Sequence, residues 1–79
     1  MHASPAATHL TAALQVVRAH QRRRHVTIDD ARRAIVEAAV FVAAGDPGPE
    51  TQSLVAKLEK VTGCSIADLA VYADRWPEV

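Results

Sequence analysis

Between Ala34 and Ala44 the chain carries a single polar side chain, Glu37. At about 100° per residue, Ile28, Ala31, Ile35, Ala38, Ala39 and Val42 share one stripe of a helix over 28–44. Val36, Val40 and Ala43 form a second stripe, and Ala34 and Phe41 a third beside Glu37, while Asp29, Asp30 and Arg33 occupy the reverse of the N-terminal half. Fully burying a Val or Phe contributes roughly 1.5–3 kcal/mol. Leaving Val36, Val40 and Phe41 wet would forgo about 5 kcal/mol, comparable with the whole stability of a small domain. The pattern therefore predicts a helix covered almost all round, by the other helices of the chain or by a second copy. A membrane is a poor third as its cover, because the apolar run falls well below the ~20 residues that cross a bilayer.

Three further helices follow from the same periodicity. Ser4-Pro5 pairs an N-cap residue with proline at the first helical position, and Leu10, Ala13, Leu14 and Val17 recur at helical spacing, giving a helix over about 5–22. Thr27-Ile28-Asp29-Asp30 starts the apolar helix as a capping box, with Val26 and Ala31 in staple positions, and Gly45 is its expected left-handed stop. Asp46-Pro47-Gly48-Pro49 forms a short stiff turn, making the helices on either side antiparallel neighbours. The next helix, about 49–62, places Leu54, Val55, Leu58 and Val61 opposite Lys57, Glu59 and Lys60 and ends at Gly63. Ser65-Ile66-Ala67-Asp68 repeats the capping logic, with Cys64 and Leu69 in staple positions. It opens a helix over about 66–76 that buries Ile66, Leu69, Tyr72, Ala73 and Trp76 before Pro77.

The class is all-α: a compact four-helix domain, 1–79, with the apolar helix central and the whole dimeric. Seventy-nine residues lie near the size at which one core suffices, and oligomerisation is one remedy. Cys64 is the single cysteine, which forbids an internal disulfide and suits a reducing interior. The opening Met-His-Ala-Ser-Pro lacks the basic and apolar regions of a secretory signal, so a cytoplasmic location is expected.

Charge is unevenly spread. Through Arg33, six arginines stand against Asp29 and Asp30, leaving +4; the remainder has three basic residues against seven acidic ones, leaving −4. Arg22-Arg23-Arg24-His25 falls where the exposed carbonyls at the end of the first helix favour cations. Alternatively, Arg18, Arg22, Arg23, Arg24 and Arg32 make a phosphate-contacting or acidic-partner patch. No aromatic residue interleaves with them, which argues against a base-stacking platform for single strands.

Candidate chemistry is sparse. His2, His9, His20 and His25 include no pair at i,i+3 or i,i+4 with a carboxylate or thiolate to complete a metal site. Cys64 precedes a helix start, where a thiol can be activated, yet no histidine is near it in sequence. Glu37 reads as a rim carboxylate reaching solvent or Arg33. With no Gly-rich phosphate loop, serine elbow or carboxylate pair, neither an enzyme nor a cofactor is expected.

Two stretches resemble known families. Gln52-Ser53-Leu54 is similar to the Asp-Ser-Leu that starts the second helix of acyl carrier proteins, but Gln52 replaces the Asp, the serine falls too late and the long preceding loop is missing. Leu58 to Ser65 with Ile66 to Arg75 resembles the helix-turn-helix of bacterial repressors, with Gly63 as the turn glycine and Leu58, Cys64, Leu69 and Tyr72 at buried positions. Glu59 stands where that motif needs a small residue, and Ile66, Ala67, Ala70 and Val71 stand where base-reading side chains would be needed. Such a motif would serve packing.

The expectation is a small non-catalytic interaction module, an adaptor, inhibitor or regulator. It would act as a homodimer with Val36, Val40, Phe41 and Ala43 at a protein interface. The alternative is a nucleic-acid-binding regulator that uses the Arg18–Arg33 basic region.

Overall fold

The computed structural model describes residues 5–45 and 48–78. It contains four α-helices and, among the described residues, no strand: α1 Pro5–Gln21, α2 Ile28–Ala44, α3 Pro49–Thr62 and α4 Ile66–Tyr72, the last continued by a 3-10 turn over Ala73–Arg75. Ser4, Asp46 and Pro47, on which the first cap and part of the second turn were placed, lie outside the described residues.

Local chemistry sets the helix ends. Thr27 Oγ1 accepts from the Asp30 amide (3.1 Å) and Asp30 Oδ2 accepts in return from the Thr27 amide (3.3 Å), a closed capping box. Ser65 Oγ accepts from the Asp68 amide (3.1 Å). The neighbouring Ile66 amide is taken by Glu59 Oε2 at 2.7 Å. Glu59 is thus half-buried and fastens α3 to the start of α4, which explains a long acid where helix-turn-helix packing wants a small residue. Gly63 takes the left-handed position at φ 77°, which glycine adopts without steric cost.

Gly45 does not. Its N–H closes on the Phe41 carbonyl (3.1 Å) and the chain then leaves extended, at φ −109° and ψ 167°, instead of turning left-handed. Glycine serves space here, since a Cβ would stand 3.2 Å from the Phe41 carbonyl oxygen. The unexpected left-handed residue is Arg23, at φ 56°. It closes α1 in a Schellman arrangement, with Arg24 N–H donating to the Ala19 carbonyl (2.9 Å) and Arg23 N–H to the His20 carbonyl (3.0 Å). Because L side chains are strained there, Arg23→Gly is expected to be more stable than Arg23→Ala by about 1 kcal/mol. The charge is lost in both variants, so equal urea midpoints would refute the strain.

The helices pack in the ring α3, α1, α2, α4, closed by a smaller α3–α4 contact. His9 meets Phe41, so α1 and α2 run antiparallel. Gln21 Nε2 donates to the Val61 carbonyl (2.7 Å) at one end of α1, and Ala7, Thr8 and Thr11 approach Glu50 at the other, so α1 and α3 run parallel. Consequently α2 and α3 are antiparallel but are not the close neighbours that the short turn suggested. α1 contacts both of them, and its Ala6, Ala7, Leu10, Ala13, Leu14 and Val17 are all buried and can serve a helix on each side.

Leu10, Ile35, Leu58, Leu69 and Val17 are the largest fully buried side chains of the core, which Trp76 closes at 2% exposure. The radius of gyration is 11.5 Å, as for a folded domain of this length, about 12 Å. Tyr72, expected in the core, is 43% exposed. In a continued α-helix residues 69, 72, 73 and 76 would share a stripe. The tightening to about three residues per turn after Tyr72 stacks Ala73 over Trp76 and leaves the tyrosine to one side.

Candidate interaction surface

α2 divides into a spent face and an open one. Ala31, Ile35, Ala38 and Ala39 are buried, with Ile28, Ala34 and Val42 packed around them. On the other side Val36, Val40 and Phe41 are 40%, 58% and 37% exposed, and Ala43 and Ala44 are exposed as well. All four residues assigned to an interface from the sequence, Val36, Val40, Phe41 and Ala43, therefore reach the surface of the single chain. Helical spacing makes them an arc around the C-terminal half of α2, with Glu37 the one carboxylate among them. The alanines divide differently: Ala38 and Ala39 admit close packing inside the chain, whereas Ala43 and Ala44 leave a shallow outer surface.

One flank of this arc is built by two helices. The His9 ring lies flat on Phe41, with centroids 4.1 Å apart and planes 9° from parallel. Its Nδ1 stands 3.9 Å from Glu37 Oε2, at the outer limit of an ion pair between half-exposed groups. Sequence spacing offers His9 only as a candidate metal ligand. Its partnership with Phe41 depends on the antiparallel register of α1 and α2, which no local signal encodes.

The arginines separate into two groups. Arg18, Arg22, Arg23 and Arg24 are exposed. Arg32, grouped with them from the sequence, is held elsewhere: its Nε donates to the Trp76 carbonyl (2.8 Å) and its Nη1 stands 3.9 Å from Asp29 Oδ1. Arg32 thus ties α2 to the end of the α4 segment. Trp76 is the other half of this junction, because its Nε1 donates to the Thr62 carbonyl (3.1 Å) and its ring makes a T-shaped contact with His20, centroids 5.9 Å apart.

Among the described residues no group of three or more His, Cys, Asp or Glu could hold a metal ion, and His2 lies outside them. Cys64 is a free, half-buried thiol whose Sγ lies 3.7 Å from the Thr62 carbonyl. The depression lined by Ala7, Thr8, Thr11 and Glu50 has about 250 Å³ and is open, smaller than the roughly 300–1,000 Å³ of small-molecule pockets. Among the described residues no helix is long and apolar enough to cross a membrane. A second apolar exposure lies on α4, where Val71 is 67% exposed beside Tyr72.

No protein-family model, curated protein or solved structure matches this chain.

Proposed function

We propose that the protein is a small non-catalytic interaction module, an adaptor, inhibitor or regulator, that works in the cytoplasm as a homodimer joined through α2. The observation that carries this reading is the exposure of Val36, Val40 and Phe41 around a helix whose opposite face is already fully used. Completing their burial would contribute about 1 kcal/mol for each side chain on each copy. A two-fold contact uses the same patch twice. Joining the C-terminal halves of two α2 helices sets Val40, Phe41, Ala43 and Ala44 at the centre and keeps the two Glu37 carboxylates apart. Ala43 and Ala44 allow the backbones to approach closely. The free Cys64 fits a reducing compartment.

Sedimentation velocity at sub-millimolar concentration tests the proposal. The wild type is expected at twice the 8.5 kDa chain mass. Val40→Asp is expected at the single-chain mass with unchanged helical circular dichroism, because Val40 is 58% exposed and the fold does not depend on it. A monomeric wild type, or a Val40→Asp variant that sediments as a dimer, would overturn the proposal.

A further inference from the structure

The first carboxylate of the chain is Asp29; the 28 residues before it contain Arg18, Arg22, Arg23 and Arg24 and four histidines. The simplest account of the arginine run is that it neutralises the negative end of α1. The geometry leaves that task largely done by main chain. Arg22, Arg23 and Arg24 donate their backbone N–H groups to the carbonyls of Arg18, His20 and Ala19, at 3.0, 3.0 and 2.9 Å. The Arg18, Ala19 and His20 carbonyls are thus satisfied without a guanidinium. Nor are the arginines paired with acids: among the described residues, the two ion pairs are His9 with Glu37 and Arg32 with Asp29, while Asp30 is engaged in the capping box. Three successive residues of like charge repel one another, and the middle one occupies a left-handed position that glycine would fill with less strain. The guanidinium groups thus project from the end of α1 at a local cost and without an internal partner.

We propose that Arg18, Arg22, Arg23 and Arg24 form a contact surface for the phosphate backbone of double-stranded nucleic acid, read without regard to sequence. The composition of the patch selects this partner. All four cations are arginine, whose planar fork matches phosphate oxygens, while the two lysines of the chain, Lys57 and Lys60, lie on α3. Val26 beside the run is half-buried, so the patch has neither the apolar centre of a protein interface nor a side chain to insert among lipid tails. Arg18 and Arg22, one helical turn apart, lie on the same side of α1, and Arg23 and Arg24 are exposed at the left-handed turn that follows. The surface uses none of the residues of the α2 arc, so it stands or falls independently of the dimer.

Fluorescence anisotropy with a labelled DNA duplex of about two helical turns, titrated at salt concentrations from about 20 to 200 mM, tests this. Four neutralised phosphates predict a log–log salt slope of about −3 to −4, and an affinity that falls roughly 100-fold between about 50 and 200 mM. The combined variant Arg22→Gln, Arg23→Gly, Arg24→Gln keeps the left-handed cap and is expected to flatten the slope by about three units. Arg18→Gln alone, on an exposed helical position, is expected to flatten it by about one unit. Lys57→Gln with Lys60→Gln is expected to leave the slope as in the wild type, and poly-glutamate and phosphatidylserine vesicles are expected to bind more weakly than the duplex. Absence of duplex binding at the lowest salt would overturn the proposal. So would an unchanged slope in both arginine variants, an equal flattening by the lysine pair, or tighter binding of poly-glutamate or vesicles.

Discussion

Trp76→Ala is expected to lower the free energy of unfolding by about 3–5 kcal/mol, as large-to-small changes of a buried aromatic do. Small domains have only about 5–15 kcal/mol in total. The indole is 2% exposed, fills the core against α1, α2 and α4, and donates to the Thr62 carbonyl at the end of α3. Its loss opens a cavity and leaves that carbonyl with only the weak thiol donor of Cys64, 3.7 Å away. Trp76→Phe retains most of the volume and loses mainly the hydrogen bond, so a smaller loss of about 1–2 kcal/mol is expected there. Urea denaturation followed by circular dichroism separates the two variants. A loss below about 1 kcal/mol for Trp76→Ala would show that the junction is not where the helices are held.

Leu58→Ala is the second large effect expected, about 2–5 kcal/mol. Leu58 is the one large side chain that α3 buries completely; Leu54, Val55 and Val61 are packed around it only in part. Removing it should weaken the attachment of α3 more than the rest of the core. Native-state hydrogen exchange distinguishes this from general loosening, because amides of α3 should lose protection before those of α1. Uniform loss across both helices would mean that α3 is not separately anchored by this residue.

Features set by neighbours in the chain were legible in the sequence. Thr27 with Asp30, Ser65 with Asp68, Pro49 and Gly63 act within one helical turn, and the apolar spacing within each helix needs no knowledge of the others. The surplus of α2 was legible for the same reason: Val36 and Val40 lie off the Ile35–Ala38 stripe whatever packs against that stripe. Features set by register between distant segments were not. Nothing near His9 signals Phe41, and nothing near Arg32 signals the Trp76 carbonyl, since both pairings exist only once α1, α2 and α4 are in place. α-Helical spacing points Tyr72 inward, and that spacing does not continue through the turn that tightens after it. Arg23 was unreadable as a left-handed residue because glycine, the usual marker, is absent.

α4 has seven residues, fewer than the ~12–15 below which an isolated helix is marginal in water. Its order is conferred from outside, by the Glu59 carboxylate at its first amide and by the tryptophan clasp at its far end. Since that tryptophan is the chain's sole indole, the intrinsic emission of this protein is a gauge of whether its last segment is docked, and only secondarily of whether the remaining helices are folded.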